Sequence, residues 1–425
     1  MRKEADGKAA GEEREMDGKK RRIALYTAAP ALIFMITWAI FYKQTMLPKS
    51  SDIVAHMEHA LSLDMVLEVT HCGWHFVCWL FYACLPISIQ AAASMATALF
   101  NAASAVLVIW LLERYLKGRP AGAWLSGTAA VIALTAGPLY LRFYNSSYYL
   151  GQGSPNPWHN PTSTAVRPFM ILITILTADY WALDKTAAVR MGKRAVKKTT
   201  LYQLALMVLL FLSTITKPSF LMVYLPACGL IALARLIAGK GKNFVSLLIQ
   251  HLYFIPSLLV FLWQYLKIYI LGGGVASQAG ETGIAIDFFK VAGMYAPSVL
   301  FSLILKMAFP FLVILLWRKV IFKDRLFQLT FLQFIMGLLI TWTFVETGKR
   351  ASHGNFGWGN ILASSMLWIF CVVFYVRELT QNREAIGKSV GLKIKFGVPG
   401  AVLLWHFLAG AAYYWQVLHN MSGQL

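Results

Sequence analysis

"VTHCGWHFVCWLFYACL", residues Val69 to Leu85, decides how the chain is threaded. The run is apolar enough to cross a bilayer, and whether it crosses fixes the face on which every later loop lies. Counted as a crossing, it puts the basic loop Arg114 to Arg119 outside and reverses all later loops against the positive-inside rule. Ser51 to Leu85 therefore reads as two amphipathic or re-entrant helices on the outer surface. Such a segment is tolerated at membrane depth only where protein or a water-filled cavity lines it, so a cavity is expected here.

The rest of the chain supplies the charge pattern behind that choice. Of 425 residues, 58% are hydrophobic and 14% charged, which excludes an ordinary soluble domain and predicts an all-α polytopic membrane helix bundle. Windows of about 20 apolar residues per crossing predict eleven transmembrane helices, over Arg22 to Tyr42, Ala92 to Leu112, Ala123 to Phe143, Val166 to Leu183, Leu201 to Ile215, Phe220 to Ala238, Phe244 to Leu271, Met294 to Trp317, Phe327 to Val345, Asn360 to Tyr375 and Phe396 to Trp415. Loops after the second, fourth, sixth, eighth and tenth of these helices carry clusters such as Lys193, Arg194, Lys197 and Lys198, or Arg318, Lys319, Lys323 and Arg325. The opposite face is poor in cations. The formal charge of +20 is thus mostly a topology signal and implies no nucleic-acid partner. This reading gives a multi-pass cell-membrane protein with its N-terminus cytoplasmic and its C-terminus outside. Residues 1–21 read as a cytoplasmic polar tail and 22–425 as a single membrane-embedded domain, with outer loops 43–91, 144–165, 272–293 and 346–359. The five cysteines lie in or beside apolar runs and read as packing residues.

Chemistry on the outer side has to use those four loops, because loops carry function while spanning helices position them. In "SSDIVAHMEHAL", Ser50 to Leu61, Asp52, His56 and His59 fall at i, i+4 and i+7 of a helix, opposite Ile53, Met57, Ala60 and Leu61. The stretch is amphipathic and can lie at the headgroups with its polar face toward an aqueous pocket. Asp52 reads either as a first-turn cap or as a general base. The histidines read either as a wet helix face or as partners in that chemistry. His71 and His75, again four apart, could bind a divalent ion, but with no intervening acid and no third ligand no metal site is assigned.

The second outer loop, "FYNSSYYLGQGSPNPWHNPTSTAVRPF" (Phe143 to Phe169), is fixed in shape by its prolines. Trp158, His159 and Asn160 offer stacking faces and an amide, either to hold a sugar ring or to plug the bundle. Arg167 opens the following helix on the cation-poor side and calls for an anion or a carboxylate. The late loop "ETGKRASHGNFGWGN" (Glu346 to Asn360) places Lys349 and Arg350 together on that same side, with His353 close by. A guanidinium fork suits phosphate and a lysine adds a mobile charge, so a lipid phosphate or pyrophosphate is the expected ligand. Lys217 joins this field, and Glu281 and Asp287 either balance it or supply another carboxylate.

An outward first helix, an early acid in the first outer loop, two juxtamembrane helices and a long bundle together resemble the GT-C class of integral membrane glycosyltransferases. "THCGWHF", Thr70 to Phe76, also resembles the "HP-aromatic-H" region of bacterial members. The likeness is residue-specific across Ser51 to Phe76, and Ser51 stands where the best-known members carry a second acid. The resemblance implies transfer of a sugar from a polyprenyl-phosphate donor to a glycan or lipid acceptor at the outer face. It implies Asp52 as general base, with His56 or His59 sharing that role. Lys349 and Arg350 would hold the phosphate leaving group, so that no cofactor is required. His71, His75, Trp158, His159, Asn160, Arg167 and His353 complete the substrate-binding set. Two other classes compete. A transporter or lipid flippase would use midplane groups, for which Lys267 and Lys306 are the candidates. A membrane acyltransferase or ligase would use His159 or His353 and would not need Asp52.

Overall fold

In the computed structural model the chain is a helix bundle with two small antiparallel ribbons. The structure describes residues 2–47, 51–116, 123–144, 148, 153–184, 186–191, 194–271, 283–294 and 298–419; at 2–22, 123, 191, 194 and 349 it describes the backbone alone. Glu281 lies outside the described residues.

The helices are α1 (Arg2–Gln44), α2 (Ile53–Glu58), α3 (Leu63–Glu68), α4 (Gly73–Cys84), α5 (Ile89–Leu116), α6 (Ala123–Thr135), α7 (Pro161–Tyr180), α8 (Lys198–Thr216), α9 (Ser219–Ala238), α10 (Phe244–Gln250), α11 (Ile255–Tyr265), α12 (Lys290–Gly293), α13 (Val299–Ile321), α14 (Arg325–Thr343), α15 (Gly357–Gln381), α16 (Arg383–Lys388) and α17 (Val390–Leu418). Strands β1 (Ala188–Met191) and β2 (Arg194–Lys197) form one ribbon, and β3 (Ile284–Ile286) and β4 (Phe344–Glu346) the other. Among the described residues ten helices are long and apolar enough to cross a membrane, α10 and α11 counting with their continuation as one span, Phe244–Ile270. The protein is an all-α polytopic bundle.

The eleventh expected crossing, Ala123 to Phe143, is cut short. Helix α6 has 13 residues, about 20 Å at 1.5 Å per residue, because Gly137 and Pro138 stop it. Beyond it the chain is extended, and its backbone is satisfied by neighbours: Gly137 N–H donates to the His406 carbonyl at 2.9 Å and Leu139 N–H to the Leu305 carbonyl at 3.0 Å. Non-helical backbone at membrane depth requires such partners. Contact is close, since a Cβ on Gly410 would run into the Thr135 carbonyl.

Ser51 to Leu85 forms three short helices where two were expected. Ser62 breaks the stretch by capping α3, its hydroxyl accepting from Met65 N–H at 3.3 Å. Helix α4, with 12 residues, is about 18 Å long, well short of a 30 Å hydrocarbon core. It packs on α5, α7 and α8, burying Trp74, His75 and Cys78, and Trp74 Nε1 donates to Thr97 Oγ1 at 3.0 Å. Gly73 lets the start of α4 meet the end of α8, where a Cβ would collide with the Thr216 hydroxyl.

Helix α15 is the axis of the bundle, buried along its whole apolar window. Its small residues Ala363, Ser364 and Ser365 permit close approach, and Gly337 of α14 meets the Asn360 backbone so tightly that a Cβ would stand 2.9 Å from the Asn360 Cα. The N-terminus of α15 thereby reaches the end of the bundle where α2 to α4, the segment before α7, the α8–α9 junction and the β3–β4 ribbon gather.

Candidate functional site

Asp52 occupies the N-cap position of α2, but its carboxylate makes no capping bond. The hydroxyl of Ser51 takes the local role instead, accepting from Ile53 N–H at 3.2 Å. Two bonds hold the Asp52 backbone and its neighbour to the second outer loop: Asp52 N–H donates to the His159 carbonyl at 2.8 Å, and Ser51 Oγ to the same oxygen at 2.7 Å. The carboxylate turns to Asn160, whose Nδ2 donates to Oδ2 at 2.7 Å. Asn160 is itself fixed, because its Oδ1 caps α7 through Ser163 N–H at 2.7 Å. Of the two sequence readings of Asp52, capping has no bond to support it.

The four histidines of α2 to α4 come together. His56 Nδ1 lies 3.0 Å from His75 Nε2, and the His71 ring is 5.9 Å from that of His56 and 5.8 Å from that of His75. His59 stands 6.4 Å from His75, ring centre to ring centre. Burial pushes the proton affinities of His56 and His71 well below the usual imidazole value and that of His75 down to about 3, with neighbouring positive charge adding to the effect. These rings are neutral at pH 7. Among the described residues no group of three or more His, Cys, Asp or Glu is arranged to hold a metal ion.

Beside the imidazoles lies Lys217, at the C-cap of α8 and 7% exposed. Its ammonium stands over the Trp358 ring, 4.9 Å from the centroid, and the His159 ring lies 4.8 Å from the same indole. Burial pushes Lys217 down to about 8; the Asp52 carboxylate opposes that shift and the Arg350 guanidinium adds to it. Lys217 thus feels both the early acid and the late cation. His159, lowered chiefly by burial, feels Asp52 and Lys217 in the same way.

Arg350 and Lys217 line one cavity of about 140 Å³ together with His71 and Glu346. Arg350 Nε donates to Glu346 Oε1 at 2.8 Å, an ion pair whose acid is buried. Glu346 is held further by Tyr269 Oη at 2.6 Å and by Asn355 Nδ2. The two terminal guanidinium nitrogens have no protein partner among the described residues. Met222, Phe261, Tyr265, Ile268 and Phe356 make an apolar part of the remaining wall, with Thr70, Ser219 and Gln264 among them. Part of it comes from the π-helical turn Leu266–Ile270, an irregularity frequent at functional sites. The cavity therefore joins a cationic end to an apolar one. Neither Asp52 nor His159 lines it; the Asp52 charge acts on Lys217, which does.

The structure brings Asp52, His56, His59, His71, His75, His159, Asn160 and Arg350 into this region and leaves three expected members elsewhere. Trp158 is 3% exposed and packs between Phe41 and Tyr414, its carbonyl accepting from Gln44 Nε2 at 3.0 Å; it offers no open face to a sugar. Arg167, 1% exposed, is taken up within the bundle, where Nη1 donates to Asn101 Oδ1 at 3.2 Å and Asn101 donates onward to Thr37. His353 is exposed on its turn and lines no part of the cavity. The side chain of Lys349 lies outside the described residues. Asp287 is exposed beside the β3–β4 ribbon and makes no ion pair with Lys217 or Arg350 among the described residues. Sequence reasoning missed Glu346, Tyr269, Asn355 and Trp358. Glu346 had a signal, its i, i+4 spacing from Arg350; Tyr269, from a distant helix, had none.

Compared with known proteins, the chain matches no family model and no curated protein.

Proposed function

We propose that the protein is a membrane glycosyltransferase that moves a sugar from a polyprenyl-phosphate donor to a glycan or lipid acceptor at the outer membrane face. The observation that carries this reading is that buried Lys217 lines one cavity with Arg350 while lying within the field of the Asp52 carboxylate. Lys217 and the outer nitrogens of Arg350 form a phosphate grip, and the apolar wall from Phe261 to Ile268 suits the first isoprenoid units. The acceptor hydroxyl attacks the anomeric carbon, its proton passing to Asp52. The bond between that carbon and the phosphate oxygen breaks, and its electron pair leaves on the polyprenyl phosphate, stabilised by the two cations. Asn160 orients Asp52. The neutral imidazoles of His56 and His75 share one hydrogen bond and stand beside His71, which lines the cavity with Lys217. The charge pattern of the loops supports a cytoplasmic N-terminus and an outward site.

The test is transfer from radiolabelled polyprenyl-phosphate sugars in proteoliposomes of the purified protein. Asp52→Asn should abolish transfer while donor lipid still binds. Full turnover in that variant removes the base and with it this mechanism. Lipid translocation without sugar transfer in the wild-type protein replaces the reading with that of a flippase.

A further inference from the structure

Lys306 lies within the spanning helix α13, only 2% exposed. The one bond its ammonium makes among the described residues goes to a neutral acceptor, Asn360 Oδ1, at 3.3 Å, and that oxygen also accepts from Ser364. An ammonium has three donors, and a buried charge without a counter-charge is costly in a low-dielectric interior. Ionisable groups at membrane depth are kept where they act on something. Lys306 also lines a second cavity, with Ser302, Thr341 and Asn360 as its polar wall and Ala292 and Trp342 beside them.

We infer that this second cavity is an oxyanion subsite, in which Lys306 and the side-chain amide of Asn360 take a single carboxylate or phosphate group of a ligand entering from the outer end of the bundle. Ser302 lines the wall with its hydroxyl bonded to Tyr144 Oη at 2.7 Å. Its size sets the ligand class. About 40 Å³ holds roughly three waters at 10–15 Å³ each, enough for one oxyanion head and too little for a sugar ring. The wall residues Val299, Ser302, Thr341, Trp342 and Asn360 all stand at the ends of α13, α14 and α15 that face the first cavity's loops. Two residues of α15 divide the labour: Trp358 meets Lys217, and Asn360 meets Lys306. The two cationic cavities are thus separated by the first turn of one helix. A ligand anchored by an oxyanion at Lys306 would be placed next to whatever Lys217 and Arg350 hold. The subsite does not depend on the sugar-transfer reading, because Lys306 belongs to no part of that mechanism.

The experiment is equilibrium binding to the full-length protein in neutral-lipid nanodiscs, in a Lys217→Met/Arg350→Gln background that silences the first cavity. The probes are acetate, inorganic phosphate and dioctanoyl phosphatidate. At least one probe should saturate at one per chain, with Lys306→Met weakening it tenfold or more and Lys306→Arg retaining it. Binding of phosphatidate alone assigns a lipid headgroup, and binding of acetate or inorganic phosphate assigns a small soluble anion; both uphold the subsite. If Lys306→Met does not fold, Ala292→Phe, which fills the cavity from its wall, should give the same loss. Undiminished binding in the Lys306 or Ala292 variant, or no binding of any probe in the background protein, overturns the inference.

Discussion

The ammonium of Lys217 stands over the indole of Trp358, 4.9 Å from its centroid, with no carboxylate at ion-pair distance among the described residues. A cation–π contact stabilises a desolvated ammonium without neutralising it. The charge is therefore held in place but left available to an anion in the cavity. Arg350 is arranged differently, being anchored through Nε by Glu346 with its outer nitrogens turned to use.

Under the proposed sugar transfer, removing the carboxylate at Asp52 while keeping its shape isolates proton transfer from packing. Asp52→Asn should lower kcat by about 10²–10⁴-fold. Because the Asp52 carboxylate supports the Lys217 ammonium, the donor KM should stay nearly unchanged only when measured below pH 7, where Lys217 keeps its proton. Measured transfer kinetics check this, and an equal rise in KM would mark Asp52 as a binding group.

Donor affinity should follow the protonation of Lys217. With its proton affinity near 8 in the free protein, the ammonium is present at pH 7 and lost as pH rises through about 8. A bound phosphate favours the charged form, so affinity falls above that pH. Lys217→Arg should move the decline to higher pH, and Lys217→Met should flatten it and raise the donor KM by about ten- to a hundredfold, the span of a charged hydrogen bond. A pH series of donor binding tests all three outcomes.

Acid should destabilise the imidazole cluster. Unfolded histidine takes a proton near pH 6.5, whereas buried His75 takes one only near pH 3. Between those values the unfolded chain binds more protons, so stability drops as pH falls through the window. Thermal unfolding followed from pH 7 to pH 4 should show Tm declining. His75→Gln should show a shallower decline, and a flat profile in the wild-type protein would contradict the burial of these rings.

Gly73 sets the approach of α4 to α8 one residue before Lys217. Gly73→Ala forces its new methyl against Thr216, an overpacking that costs about 1–3 kcal/mol. The variant should unfold at lower temperature and bind donor more weakly, whereas Gly229→Ala, which meets nothing within 4 Å, should do neither. Scanning calorimetry and the donor titration check the pair.

The bundle was legible in the sequence because twenty-residue apolar runs and alternating basic loops are local patterns. The break after Thr135 was not, since hydropathy runs on past Gly137 and Pro138, and only the carbonyls of Leu305 and His406 explain how the extended backbone is satisfied. In the candidate site, Asp52 and the histidine pairs were visible as polar residues at helical spacing. Trp158 and Arg167 were misplaced for one reason: a polar or aromatic side chain in an outer loop reads as accessible, yet Phe41, Tyr414 and Asn101, remote in sequence, bury it. Glu346 had only its i, i+4 spacing from Arg350 as a signal, since the Tyr269 and Asn355 side chains that hold it are brought there by the fold.

The truncated helix α6 also constrains the order of assembly. Its exit strand relies on α13 for one backbone acceptor and on α17 for another, and Tyr414 of α17 closes the Thr135 carbonyl at 2.7 Å. Until α17 is in place, the amide of Gly137 lacks the acceptor it has among the described residues, the His406 carbonyl. Such a stretch has to stay hydrated or shielded until those partners arrive, so α6 settles into the bundle only after α13 and α17 have.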